Sequence, residues 1–398
     1  MILLMGIYTF SCFSVFAHYE SEQKWILIRQ NVLMFLIQLT AYVVMYFKKG
    51  DPKILTLYAV SAGFLLAVII LYRLLYPKVS RLIVNNMCML LCIGMIMLTR
   101  LNQPNAVKQL IFAGAGVVIS LFVPVIIRKL SCLKDWAYLY AGIGIVALIL
   151  VAVLAEVSGG AKLGFTIAGF GIQPSEFVKI LFVFFVAANL NRSLAFKNIV
   201  ITTALAAAHV LILVFSTDLG SALILFVVYL VMLYTATRQP LYVAAGLGGG
   251  SAAAVLAYHL FGHIQVRVEA WKDPFATYND GGYQVAQSLF AIGTGSWFGM
   301  GLFQGLPDEI PVAETDFIFS AISEEMGLIF SLCLILICVS CYVMFLNIAL
   351  ALHNQFYKLV ALGLGTCYIF QVFLNIGGVT KFIPSTGVTL PLVSYGGS

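Results

Sequence analysis

The sequence predicts an all-α polytopic integral membrane protein with about twelve transmembrane helices. Two observations carry this prediction. Of the 398 residues, 62% are hydrophobic and only 10% are charged, and the mean hydropathy is +1.03, which soluble globular domains do not reach. In addition, apolar runs of about 18 to 25 residues recur along the whole chain between short charged loops, so no sizeable soluble domain is expected.

Each apolar run is long enough to cross the hydrocarbon core of a bilayer as a helix. The predicted spans cover residues 2–17, 29–47, 54–75, 81–99, 107–127, 136–155, 175–190, 198–215, 218–236, 240–260, 316–349 and 357–377. The first run lacks the basic n-region and the small-residue cleavage site of a signal peptide, so we interpret it as a helix.

Basic residues collect in alternate loops, which the positive-inside rule places in the cytoplasm. These loops contain Arg128, Lys129, Lys134, Arg192, Lys197, Arg238 and Lys358. The opposite loops, including a long polar segment over residues 261–315, are then external. Counting back places the basic loop with Lys48, Lys49 and Lys53 outside as well, so whether every early span crosses stays open. The net charge of +6 fits loops that meet anionic lipid and requires no nucleic acid.

Residues 311–327 pass from a polar loop into an apolar helix. Thr315 is the expected N-cap and Asp316 the first helical residue, facing the positive end of the helix dipole. Glu324 and Glu325 follow on the same predicted helix. Because a carboxylate at membrane depth needs a partner, a proton or a task, Asp316 is a candidate functional residue. The alternative is an interfacial cap that only ends the loop.

The long segment before Asp316 has two features of its own. Residues 283–292 have the apolar spacing of an amphipathic surface helix, and a glycine-rich run follows over residues 293–301. This run is either a cradle of backbone N–H groups for phosphate or a flexible re-entrant turn. Upstream, Arg267, Trp271 and Lys272 suit either a sugar diphosphate or an interfacial anchor.

Polar residues also mark two helix starts. Glu176 is expected to pair with Lys179 at i+3, and Asp218 opens another helix with Thr217 as its possible cap, so structural roles are favoured for both carboxylates. The eight cysteines and five histidines have no metal-ligand spacing. We therefore expect no built-in metal site and interpret the cysteines as reduced packing residues.

Five blocks, in order and spacing, resemble those of the SEDS family (shape, elongation, division and sporulation), represented by FtsW, RodA and SpoVE. The blocks are residues 160–162 with 173–176, residues 218–220, residues 283–301, residues 315–319 with 324–327, and residues 386–398. The resemblance covers about residues 80–398. It implies a polytopic core over residues 81–398, with an outer catalytic loop at about residues 261–316, preceded by extra N-terminal helices over residues 1–80 like those of some Gram-positive members. The family continues into a final helix beyond Ser398, so we expect a truncated or incomplete chain.

The resemblance implies a peptidoglycan glycosyltransferase that polymerises lipid II at the outer face of the cytoplasmic membrane by inverting transfer, with Asp316 as the general base. Implied substrate-binding residues are Lys162, Arg267, Lys272, Tyr283, Gln284, Gln287, Ser288, Gly293, Gly295, Thr315 and Ser394. Implied structural polar residues are Glu176, Lys179, Asp218, Glu324 and Glu325. No cofactor is expected in the chain itself, and magnesium or manganese is a possible aid. Implied partners are lipid II, a class B penicillin-binding protein transpeptidase and membrane lipids.

The sequence departs from the family pattern at several points. Leu163-Gly164 replaces a common Arg-Trp, and residues 311–314 read Pro-Val-Ala-Glu where Pro-Glu-x-His is usual. A lipid-linked precursor flippase and a non-catalytic scaffold for a transpeptidase stay as alternatives. Division, elongation and sporulation roles are equally open.

Overall fold

Helices form nearly all of the computed structural model, which describes residues 1–18, 20–155, 165–167 and 170–396. The helices are α1 Ile2–Ala17, α2 Glu20–Lys49, α3 Pro52–Leu75, α4 Arg81–Leu101, α5 Gln103–Lys129, α6 Ala137–Leu154, α7 Pro174–Arg192, α8 Phe196–Phe215, α9 Leu219–Thr237, α10 Pro240–Leu260, α11 Gly262–Lys272, α12 Tyr283–Gly295, α13 Ile318–Met326, α14 Leu328–Ala351 and α15 Gln355–Val379. Two short antiparallel strands, β1 Phe165–Ile167 and β2 Phe170–Ile172, pair between α6 and α7.

Within the described residues, eleven helices are long and apolar enough to cross a membrane, and α1 is a shorter apolar helix of 16 residues. The all-α polytopic prediction is therefore confirmed, with eleven full-length spans in place of about twelve. The difference lies in α1, which rises about 24 Å at 1.5 Å per residue and is shorter than the hydrocarbon core of a typical bilayer.

The predicted single span over residues 316–349 is wrong. The chain forms the short helix α13 and then α14, with a break at Gly327, whose φ of +87° ends the first helix. Gly327 packs directly against the backbone of Gly299, which has a φ of +78°. A Cβ added at Gly299 would lie 2.5 Å from the carbonyl carbon of Met326, so only glycine allows this approach of the two chain segments.

Helices of the N-terminal extension pack on the rest of the molecule through buried polar side chains. Asn86 of α4 accepts hydrogen bonds from the Tyr8 hydroxyl (3.1 Å) and the Cys12 thiol (3.3 Å), both on α1. Its own amide donates to Ser340 Oγ of α14 over 2.8 Å. Because lipid offers these groups no partner, the network fixes how α1, α4 and α14 pack together.

Alternating helices place one set of loops at each end of the bundle. Asp51, between α2 and α3, accepts a hydrogen bond from Gln103 at the start of α5 (3.3 Å), so the basic loop with Lys48, Lys49 and Lys53 lies at the same end as Asp316. We call this the Asp316 end. The basic loops used above for the positive-inside prediction lie at the opposite end, which we call the far end.

Candidate active site

The candidate base lies in a turn and not in a helix. Helix α13 begins at Ile318, two residues after Asp316, and its N-cap, Phe317, has no side-chain cap hydrogen bond. The predicted capping role of Thr315 is wrong, because its hydroxyl donates back to the Val312 carbonyl over 3.2 Å. The turn is favoured over a longer helix because its main chain finds hydrogen-bond partners elsewhere in the molecule.

Three consecutive main-chain carbonyls at Asp316 are held from the C-terminal part of the chain. The carbonyl oxygen of residue 314 accepts a hydrogen bond from Tyr395 N over 2.8 Å. That of residue 315 accepts from Ser394 Oγ over 2.5 Å, and that of residue 316 accepts from Asn375 Nδ2 over 2.8 Å. Asn375 also donates to the Val388 carbonyl over 2.6 Å, which joins α15, the C-terminal segment and this turn. The structure thus brings Ser394 to the candidate base through the main chain.

The carboxylate of Asp316 faces a guanidinium group. Arg267, on α11, donates from Nη1 to the Ser385 carbonyl over 3.2 Å. A Cβ added at Gly387 would lie 3.7 Å from Asp316 Oδ2 and 3.9 Å from both Nη atoms of Arg267. Arg267, which the sequence offered as either a diphosphate ligand or an interfacial anchor, therefore lies beside the candidate base.

Burial and the neighbouring charge act in opposite directions on the base. Desolvation raises the pKa of Asp316 to about 6, while the Arg267 guanidinium lowers it. The pKa of Arg267 is itself lowered by burial, against the opposing influence of Asp316 and Asp218. A carboxyl group with a pKa near 6 is mostly ionised at neutral pH and still basic enough to take a proton, which suits general-base catalysis.

A small cavity of ≈ 10 Å³ opens beside Asp316. Asn375 and Thr386 line it, and both have a buried oxygen, Oδ1 and Oγ1 respectively, without a hydrogen-bond partner among the described residues. Since both amide hydrogens of Asn375 are used, its Oδ1 is left as an acceptor. Two buried polar oxygens thus line the cavity next to the carboxylate.

Asp218 has a structural position close by. It is itself the N-cap of α9, with Oδ1 accepting from Ser221 N over 3.0 Å, so the predicted cap Thr217, which has a φ of +64°, is wrong. Its Oδ2 accepts from Ser175 Oγ (3.0 Å) and Gln173 Nε2 (3.4 Å) at the start of α7. Asp218 therefore ties the starts of α7 and α9 together.

The predicted ion pair on α7 is present. Lys179 Nζ lies 2.7 Å from Glu176 Oε2 and donates to Gln371 Oε1 over 2.7 Å. Gln371 in turn donates to the Thr389 carbonyl over 3.2 Å. The pair thus links α7 to α15 and to the segment that carries Gly387.

The expected amphipathic helix forms as α12, with one face packed on α13. Ser288 is buried, where its hydroxyl donates to the Val379 carbonyl over 2.7 Å and lies 2.6 Å from Ser320 Oγ. Gln287 donates to the Tyr278 hydroxyl over 2.9 Å, and the ring of Tyr278 packs edge-on against Tyr283. Gln284 is exposed. None of these contacts reaches Asp316.

The glycine-rich run packs against α13 instead of forming an open cradle. The amides of Met300 and Gly301 donate to the carbonyls of Glu324 and Glu325 over 2.8 and 2.9 Å, so these two N–H groups are not free for phosphate. Gly295 is buried against the backbone of Ser323, whereas Gly293 is exposed on α12. The glycines at 295, 299 and 301 therefore serve close packing and tight turns.

One residue of this region was missed from the sequence. Arg100, at the end of α4, donates from Nε to Glu325 over 2.9 Å and from Nη1 to Asp308 over 3.5 Å. Glu324 accepts from the Leu306 amide over 3.0 Å. The sequence indicated this residue only as a lone arginine at the end of an apolar span. In the structure, Arg100 holds residues 305–308 against α13.

Two other predicted substrate contacts differ in position. Lys272 is exposed at the end of α11, and its neighbour Trp271 donates from Nε1 to the Lys381 carbonyl over 3.1 Å. Lys162 lies outside the described residues. Of the predicted basic residues in the described part of the chain, Arg267 is thus the one beside Asp316.

A family model described as cell cycle protein, and labelled for FtsW, RodA and SpoVE, matches residues 73–398. The chain belongs to this SEDS family. Residues 1–72, with α1 and α2 and nearly all of α3, lie outside the match.

Individual relatives agree with the SEDS assignment. The chain is 37% identical over 348 residues to peptidoglycan glycosyltransferase RodA of Mycobacterium leprae, covering 81% of this chain and 75% of that one. It is 34% identical over 308 residues to stage V sporulation protein E of Bacillus subtilis, covering 74% and 82%.

Solved structures show the same SEDS fold. A chain of a peptidoglycan synthase complex aligns with a TM-score of 0.68 at 24% identity, covering 79% of this chain and 91% of that one. The rod shape determining protein RodA of Thermus thermophilus aligns with a TM-score of 0.62 at 23% identity, covering 81% and 92%.

Proposed function

We propose that this SEDS protein is a peptidoglycan glycosyltransferase that polymerises lipid II, with Asp316 as the general base. The observation that carries the residue assignment is a carboxyl group with a pKa near 6, held by its main chain beside a guanidinium group. The names of the relatives, including a peptidoglycan glycosyltransferase at 37% identity, support the reaction class.

The reaction asks for a base and for stabilisation of a leaving diphosphate. The acceptor sugar hydroxyl would give its proton to the Asp316 carboxylate while its oxygen attacks the anomeric carbon and the bond to the diphosphate breaks. Because the diphosphate is α-linked and the glycan β-linked, a single inverting displacement suffices, without a covalent glycosyl-enzyme. Arg267 would stabilise the leaving charge, since a partly buried guanidinium offers several fixed donors.

We place the reaction at the outer face of the cytoplasmic membrane. The support is the distribution of charge: the basic loops with Arg128, Arg192, Arg238 and Lys358 lie at the far end, which the positive-inside rule assigns to the cytoplasm. Asp316 would then face the exterior.

We propose that a magnesium or manganese ion enters with the substrate, bound to its diphosphate. Phosphate oxygens are preferred ligands of such hard cations. In the part of the chain that the structure describes, no group of three or more His, Cys, Asp or Glu residues lies close enough together to hold a metal ion. Chelation of divalent ions is expected to stop polymerisation, and added magnesium or manganese to restore it.

We also propose a class B penicillin-binding protein transpeptidase as the partner. The support is the structural similarity to a chain of a peptidoglycan synthase complex. Co-purification of the two proteins from membranes tests it, and recovery of this chain alone under mild detergent would contradict it.

The deciding experiment is polymerisation of labelled lipid II by the purified protein. Asp316→Asn keeps the side-chain volume and removes the base, so we expect a loss of about 10²- to 10⁴-fold in rate. The matched control is Glu309→Gln, which removes an exposed carboxylate at the same end and should leave the rate unchanged. An Asp316→Asn variant that folds and keeps more than about a tenth of the rate would refute the assignment.

A further inference from the structure

An open groove of ≈ 370 Å³ lies on the lipid-facing side of α1. The stripe of α1 from Ile2 to Phe10 lines it, together with Ile329 in the first turn of α14 and Arg29 of α2. Arg29 bonds to Ser11, the residue after Phe10, so its guanidinium group lies at the Phe10 end of this stripe. The groove is thus apolar along its length and positively charged at one end.

Arg29 has no anionic partner among the described residues. Its side chain is exposed and donates a hydrogen bond from Nη2 to the neutral Ser11 hydroxyl over 2.9 Å. The ion pairs in the described part of the chain are made by Arg100 and Lys179. A lipid-facing guanidinium group without an anionic partner attracts an anion from outside the protein.

The depth of Arg29 in the membrane matches the level of lipid phosphate. Arg29 and Lys49 lie on the same helix about 20 residues apart, or about 30 Å at 1.5 Å per residue, which equals the thickness of the hydrocarbon core. If Lys49 lies at one boundary of the hydrocarbon core, Arg29 lies at the opposite boundary. Lys24 and Trp25, which is 74% exposed, lie about one turn further towards water, as headgroup-level residues do.

We propose that the groove binds one anionic glycerophospholipid of the far-end leaflet, with its phosphate on Arg29 and an acyl chain along α1. The direction of the groove fits this lipid, because the groove runs along α1 from Arg29 towards Ile2 and so into the hydrocarbon core. The charge selects the headgroup: Arg29 and Lys24 attract a net negative lipid, whereas a choline group would bring a second positive charge.

An anionic lipid matches both features of the groove, which are an apolar stripe along α1 and a guanidinium group without an anionic partner among the described residues. Except for Ile329, the residues that line the groove lie outside the family match, and the site does not depend on the proposed reaction.

The test measures lipid retention by native mass spectrometry of the full chain in detergent, titrated with phosphatidylglycerol or phosphatidylcholine. Arg29→Gln removes the headgroup contact, and Gly6→Leu fills the groove, where an added Cβ meets nothing within 4 Å. The matched control is Arg73→Gln, an exposed arginine in the last turn of α3 at the far end.

We expect the wild-type protein to retain phosphatidylglycerol at least about 5-fold more tightly than phosphatidylcholine, because one arginine near a lipid surface contributes about 1 kcal/mol. Arg29→Gln should remove this preference and Gly6→Leu should weaken both lipids, while Arg73→Gln should behave as wild type. Equal retention of the two lipids by the wild-type protein would overturn the proposal, as would equal losses in Arg29→Gln and Arg73→Gln. A dimer that Gly6→Leu dissociates would show that a second copy fills the groove, which also overturns it.

Discussion

Asp316 is fixed through its main chain, and no residue in the described part of the chain donates a hydrogen bond to its carboxylate. The three carbonyls around it accept hydrogen bonds from Asn375, Ser394 and Tyr395, whereas its side chain faces Arg267 and a small polar cavity. The position of the proposed base is therefore set before substrate arrives, which would lower the reorganisation needed during the reaction.

The acidic limb of the pH–rate profile should report the Asp316 carboxyl group. The base must be ionised, so kcat/KM of the wild-type enzyme is expected to rise with pH and to be half-maximal at a pH of about 6. Arg267 lowers this pKa, so Arg267→Gln should move the limb to higher pH. Lys358→Gln, at the far end, is the control and should leave it in place.

Arg267→Lys separates charge from geometry in the same assay. It keeps the positive charge, so the limb should stay near the wild-type pH, but it lacks the fork of donors and should raise the lipid II concentration required. A limb that moves to lower pH in Arg267→Gln would contradict the assignment of this titration to Asp316.

At the scale of elements, helix ends and ion pairs join the segments around the base. Asp218 connects the starts of α7 and α9, and Lys179 connects α7 to α15 through Gln371. Gln371 also donates to the Thr389 carbonyl, so α7 stabilises the C-terminal segment indirectly, through Gln371. The α7 polar residues therefore contribute to the site without contacting Asp316.

The Glu176–Lys179 pair should show coupling in a double-mutant cycle. Glu176→Lys and Lys179→Glu each leave two like charges three residues apart, so both should lower the thermal stability in detergent. The double exchange should recover part of the loss, with a coupling free energy of about 0.5 to 3 kcal/mol. Recovery stays partial because Gln371 loses its lysine donor. Additive effects of the two single changes would refute the pairing.

At the scale of the whole molecule, hydropathy was enough to predict the order of the spans and the class of fold. It failed at residue 327, because the apolar stretches of α13 and α14 were joined across Glu324 and Glu325 into one span, and hydropathy does not report a change of backbone direction. The role proposed for Asp316 follows from its residue type and its position in the sequence. The partners of Asp316 were not predictable, since Arg267 and the donors at residues 375–395 reach it only through tertiary packing. The same holds for Arg100 and Glu325, which are 225 residues apart.

The contact between Gly299 and Gly327 has a genetic consequence. Each residue meets the main chain of the other segment, so a bulkier side chain at one position has no side chain opposite it that a second substitution could shorten. Loss-of-function alleles at either codon are therefore expected to lack intragenic suppressors at the facing position. Revertants should instead restore glycine or change the length of the loop over residues 301–317.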